Sequence, residues 1–173
     1  MKKLLGRGTL LVFSYLCVCY TTYTSPAHAS EQLEKVKAVF LFKFFDYVSW
    51  PDSDSTTDTL CTYGAHPFGE NLQYIAKMRH AKKTVVLPLS SLSDIHQCQI
   101  LYIDKPSDQK ALFQMDIQST LVVSSNKSVI NYGGMICMEE HSGRVQLSIN
   151  LKAAREKKLK ISSRLLEISN VIR

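Results

Sequence analysis

Short apolar and β-branched runs alternate with amphipathic stretches between residues 59 and 124, and this alternation most narrows what the chain can fold into. The runs at 59–64, 84–89, 99–103 and 119–124 are the right length for strands, and helices are expected at about 68–79 and 107–115. After the connection "NKSVINYGG", the segments "MICMEE" and "RVQLSIN" flank His141-Ser142-Gly143, which reads as a hairpin turn. Strands alternating with helices give an α/β fold: a mainly parallel sheet flanked by helices, with an antiparallel C-terminal hairpin. Gly133-Gly134 fit a tight entry into the strand at Met135, where a side chain would clash.

Two helical segments flank this pattern. "EQLEKVKAVFLFKFFDYVS", residues 31–49, places Leu33, Val36, Phe40, Phe44 and Tyr47 on one stripe, yet Leu41, Phe42, Phe45 and Val48 make it apolar nearly all round. A helix of that kind buries more than one face, and Phe42 and Phe45, off the main stripe, are the expected contacts of a homodimer. Trp50-Pro51 ends it and "DSDSTTD" follows as a polar loop. At the other end, a short helix capped by Asn150 precedes a second one from about Ser162, with Ile161, Leu165, Ile168 and Ile172 on a common stripe.

The compartment follows from the first thirty residues. Lys2, Lys3 and Arg7, the apolar run Leu10 to Tyr20, and Ala27-His28-Ala29 before Ser30 form a secretory signal peptide over residues 1–29. The apolar run is shorter than the roughly 20 residues of a membrane-spanning helix. The mature chain, residues 30–173, has the length of a single domain with a real core. Loss of the leader lowers the formal charge from +6 to +3, so the basic balance is partly an address. No block of cations interleaved with aromatics remains, which argues against nucleic acid as a partner. The cluster Arg155, Lys157, Lys158, Lys160 is equally well read as the cationic end of a helix.

Cys61, Cys98 and Cys137 survive cleavage, and an odd count in an exported protein means one bridge and one spare thiol, or an intermolecular bond. Spacing leaves any of the three as the spare. Cys61 in "TLCTYG" and Cys98 in "CQILYID" both sit in strand-like runs that one sheet can bring together. A metal site would need paired ligands at short spacing, and no such pair of pairs exists. His66, just before Pro67, reads as a turn residue, and His80, His96 and His141 stand singly in polar stretches. Gly64 and Gly69 suit the turn and helix entry, in a context compatible with a small anion but without a dinucleotide glycine pattern. No nucleophile elbow or zinc-protease motif occurs, and Glu139-Glu140 fit solvated hairpin charges, so neither an enzyme nor a cofactor is expected.

Taken in order, "VKAVFLFKFFDYVSWP", "LCTYGAHPFG", "CQILYI", "TLVVSS", "GGMI" and "VQLSINLKAAREKKLKISSRLLEIS" resemble the YfiR-like family of small periplasmic proteins, across nearly the whole mature chain. The resemblance implies a dimeric α/β protein that represses a membrane-bound diguanylate cyclase by binding its periplasmic portion, with repression failing under reducing or envelope-stress conditions. It also maps the family's bridge onto Cys61 and Cys98 and its third cysteine onto Cys137, left here as a free thiol. Some members carry a second, local bridge near that position, but no cysteine follows Cys137 here. Protein contacts in the C-terminal region of the family point to Arg155, Ile161 and Arg164 as partner-binding residues. The alternative is a periplasmic small-molecule-binding module that signals to a sensor kinase or cyclase, its crevice near Gly64 to Phe68 and Ser124 to Lys127.

Overall fold

The computed structural model describes residues 26–51, 56–80, 82–112, 115, 117 and 119–172. The body of the expected leader lies outside these residues. The first helix, α1 (Pro26–Tyr47), runs directly into a two-residue strand, β1 (Val48–Ser49). There follow β2 (Thr57–Tyr63), α2 (Asn71–Met78), β3 (Lys83–Leu89), β4 (Ile100–Ile103), α3 (Pro106–Leu112), β5 (Leu121–Ser124), β6 (Ile136–His141) and β7 (Arg144–Asn150). The chain closes with α4 (Leu151–Glu156), β8 (Lys160–Ile161), α5 (Ser163–Glu167) and β9 (Ser169–Ile172).

Seven strands form one sheet in the order β3-β2-β4-β5-β6-β7-β9. All neighbours pair in parallel except β6 and β7, which form the antiparallel hairpin with His141 opposite Arg144. Ser142 and Gly143 both take positive φ, the geometry that a two-residue hairpin turn requires. The expected α/β class is therefore the observed one.

Successive strand residues feed opposite faces, as the two-residue period of a strand demands. Leu60, Ile100, Tyr102, Leu121, Val123, Ile136 and Met138 belong to a core shared with α1, α2, α4 and α5. Cys61, Leu101, Ile103, Val122 and Cys137 belong to a second core on the other face, beneath α3 and two short 3-10 helices, Leu92–Gln97 and Lys127–Tyr132. Covering both faces is what permits continuous apolar runs such as "ILYI". At Gly134 a Cβ would sit 2.7 Å from the Val129 carbonyl oxygen and collide with its Cγ2, so the tight entry into β6 has a concrete cause.

Three expectations need correction. The buried face of α1 is Leu33, Lys37, Ala38, Leu41, Phe42 and Phe44, while Val36 and Val39 face outward at 41 % and 46 % exposure. A helix apolar nearly all round offers several stripes of equal spacing, and the sheet selects the one that Leu41 and Phe44 share. Phe42, expected at a dimer contact, is only 2 % exposed and packed in the core, and Phe45 is half-buried against Trp50. Finally, the second C-terminal helix, expected to carry its stripe on to Ile172, is α5 alone: the Ser169 hydroxyl donates to the Leu166 carbonyl at its end, and residues 169–172 pair with β7 instead. Ile168 is consequently 63 % exposed, and Ile172 lies in a strand, so the proposed stripe does not exist.

Candidate functional site

Three regions can carry function: the disulfide, the C-terminal lobe, and the crevice at the carboxyl ends of the parallel strands.

Cys61 lies in β2 and Cys98 just before β4, the strand next to it, and the two are joined with their Cα atoms 5.7 Å apart. Cys98 caps the 3-10 helix Leu92–Gln97 through its N–H to the Ile95 carbonyl, and its own carbonyl accepts from the Thr120 hydroxyl at 2.8 Å. The backbone of Cys98 is thus held at both its N–H and its carbonyl. The bond encloses α2, β3 and that 3-10 helix, with both cysteines buried. Cys137 is the free cysteine among the described residues and occupies the same core cluster as the bridge. Burial, and secondarily the Glu139 carboxylate, push its thiol up to about 12, so at neutral pH it stays protonated and poor as a nucleophile.

The C-terminal lobe is built from α4, β8 and α5. The Asn150 side chain accepts from the Ala153 N–H to start α4, as its sequence position suggested, and the Ser162 hydroxyl accepts from the Leu165 N–H to start α5. Between them β8 pairs antiparallel with β1, Ile161 opposite Val48, which fastens the lobe to the end of α1. Ser162 adds a backbone bond from its N–H to the Tyr47 carbonyl at 2.9 Å. Arg155 and Arg164 are exposed, and Ile161 is half-buried against the core between them in sequence. Lys152, Lys158 and Lys160 are exposed too, so the lobe presents a cationic surface. No sequence reading had anticipated that the two short strands β1 and β8 would hold it in place. A two-residue pairing leaves no periodicity to detect.

The crevice lies where the strand order turns. From β2 the chain passes to β3 on one side, then returns to β4 on the other. The loops after β2 and β4 consequently part, with α2 packed on one face of the sheet and α3 on the other. Ala65, His66 and Pro67 line the crevice from the first loop, Asp104 from the second, and Ser125 from the end of β5, while Glu34 and Lys37 of α1 close its wall; its volume is about 310 Å³. Lys37 is 6 % exposed and donates to Glu34 Oε1 at 2.9 Å. Asp104 Oδ1 accepts from the Ser125 N–H and the Ser124 hydroxyl, and the Tyr102 hydroxyl shares a 3.0 Å hydrogen bond with that of Ser125. Below them the Gln109 amide donates to the carbonyls of Ile103 and Asp104 and to Ser124 Oγ, a buried polar network that ties the loop after β4 to the end of β5. His66 stacks on Phe68, and burial lowers its pKa, which favours the neutral ring. Of the residues in this region, the sequence singles out those after β2, Gly64 to Phe68, and those at the end of β5, Ser124 to Lys127. Glu34, Lys37 and Asp104 carried no local signal.

No group of three or more metal-ligating side chains occurs among the described residues. Among them, too, no helix is long and apolar enough to cross a membrane.

Comparison with known proteins adds the following. The sequence model of the family described as DUF4154, YfiR/HmsC-like, matches residues 34–170. Among solved structures, the chain is similar to a conserved domain protein from Vibrio cholerae O1 biovar El Tor strain N16961, with 13 % identity and a TM-score of 0.49. That alignment covers 80 % of this chain and 60 % of the other, so this chain spans less than two thirds of that protein's length. No curated protein matches.

Proposed function

We propose, from the premise that this chain belongs to the YfiR/HmsC-like family, that it is a periplasmic regulatory protein. In this reading it binds the periplasmic part of an inner-membrane diguanylate cyclase and represses it, without chemistry of its own. The leader over residues 1–29 exports it, and the mature chain acts as one domain from Ser30 onward.

The observation that supports partner binding most directly is the cationic C-terminal lobe. Arg155 and Arg164 are exposed with half-buried Ile161 between them in sequence, on elements held by the β1–β8 pairing and the caps at Asn150 and Ser162. Guanidinium groups suit bidentate pairing with carboxylates, so the complementary surface on the partner is acidic. The Cys61–Cys98 bond links this surface to redox state through stability, because its loss loosens the sheet on which the lobe rests. A homodimer through α1 belongs to the same reading, with Val36 and Val39 as the residues available for contact in place of Phe42.

A pull-down from the native envelope, with and without reductant and read by mass spectrometry, tests the proposal. Recovery of a membrane diguanylate cyclase from the non-reduced sample alone is the expected result. Recovery of no membrane signalling protein in either sample refutes it. Recovery that survives reductant unchanged separates the partner from the redox link and refutes the latter. For the dimer, Val39→Glu should give a folded monomer by light scattering; an unchanged dimer removes α1 from the interface.

A further inference from the structure

The crevice at the ends of β2, β4 and β5 has features that repression of a partner does not use. It sits where the strand order reverses, the place at which open α/β sheets take their ligands. Its volume is at the lower end of the usual range for small-molecule pockets. Two of its lining residues hold buried polar atoms without a hydrogen-bond partner, Glu34 Oε2 and His66 Nδ1. In a native fold such atoms call for a partner, because each forfeits its hydrogen bond to water.

The charge in the crevice selects what that partner can be. Two carboxylates, Glu34 and Asp104, face a single ammonium, Lys37, and Lys37 is already bound to Glu34 Oε1. An added anion would meet two like charges and an ammonium that is already paired. A neutral hydroxyl compound could donate hydrogen bonds but would leave the excess negative charge in place. An ammonium group supplies three N–H donors and one positive charge. It can donate to Glu34 Oε2 and to the unprotonated nitrogen of a neutral His66 while lying near Asp104.

We propose that this crevice binds a small organic cation carrying a primary ammonium group, seated between Glu34, His66 and Asp104. Binding there would tie α1 to the loops after β2 and β4. Since α1 continues into β1, and β1 holds β8, the same contact would reach the C-terminal lobe. The site is nevertheless defined by its ligand chemistry alone and stands or falls apart from the repressor reading.

The test uses the purified protein and three probes of similar length: 1,4-diaminobutane, 1,4-butanediol and succinate. Calorimetric titration should show saturable binding of the diamine only, and the melting temperature should rise with the logarithm of its concentration above the dissociation constant. Glu34→Gln should weaken diamine binding at least tenfold. Because Glu34 also neutralises buried Lys37, Asp104→Asn provides a second variant: it keeps an oxygen to accept from the Ser125 N–H, removes the charge, and should also weaken binding tenfold. Binding of succinate in preference to the diamine, equal binding of the diol, or no saturable binding of the diamine in the millimolar range overturns the proposal. So does diamine binding that a folded Asp104→Asn protein retains in full.

Discussion

Removing the Cys61–Cys98 bond should cost a large share of the stability a domain of this size possesses. The cysteines are 37 residues apart in sequence. Closing a loop of that length in the unfolded chain removes about 13 cal/mol/K of entropy, or about 4 kcal/mol at 25 °C. Small domains are stable by only about 5–15 kcal/mol. The bridge also lies in a buried cluster, so replacement by alanine removes sulfur contacts as well as the cross-link. Cys137 provides the control, since it is buried in the same cluster without a cross-link, and Cys137→Ala reports the cost of deleting a buried sulfur alone, about 1 kcal/mol. The doubly substituted Cys61→Ala/Cys98→Ala protein loses the cross-link and two buried sulfurs, so it should fall below Cys137→Ala by about 5 kcal/mol in urea unfolding. Its melting temperature should lie roughly 15–20 °C below that of the control. A double variant within about 1 kcal/mol of the Cys137→Ala control would show that the bridge contributes little to stability, and would remove the physical route from reductant to lost repression.

Other expectations follow from single contacts. Arg79 donates through Nη1 to the Phe42 carbonyl at 2.8 Å and pairs through Nη2 with Asp58 at 3.0 Å, while its guanidinium lies over the Phe45 ring. Because Asp58 is buried, Arg79→Met should destabilise by about 3–5 kcal/mol, and adding Asp58→Asn should restore part of the loss in a double-mutant cycle. Gly134→Ala forces the new methyl against Val129 and should cost about 1–3 kcal/mol by urea titration, with no comparable loss for Gly143→Asn in the hairpin. The Cys137 thiol, raised by burial from 9.0 to about 12, remains protonated in the fold while the unfolded chain ionises. Stability attributable to it is thus present below pH 9 and lost as pH rises toward 12; the urea midpoint of the native protein should fall more from pH 8 to pH 10 than that of Cys137→Ala.

What the sequence made legible was whatever repeats or punctuates locally. The runs around Leu60, Leu101 and Val122 announced strands because each is short, apolar and bounded by polar residues. Asn150 announced a helix start because its side chain bonds a backbone group three residues on. His141-Ser142-Gly143 announced a turn because two successive residues need positive φ. The orientation of α1 was not legible, since Val36 and Leu41 are chemically alike and only the sheet beneath decides which is buried. Residues 169–172 were misread as helix for a related reason: four residues carry little period, and pairing with β7 outweighs local preference. The crevice shows the same limit. Glu34 and Lys37 look like an ordinary i,i+3 pair on a helix until the fold sets them against Asp104, which is 67 residues beyond Lys37 in the chain.

Repression of a cyclase through the cationic C-terminal lobe would be read out in cellular cyclic-di-GMP. The measurement compares the nucleotide in cells lacking the protein, cells supplied with the native chain, and cells supplied with Arg155→Glu/Arg164→Glu confirmed as exported and folded. A high level is expected in the deletion, a low level with the native chain, and a level as high as the deletion with the charge-reversed protein. An unchanged level on deletion would contradict the repressor function, and full repression by the charge-reversed protein would contradict the surface assigned to it.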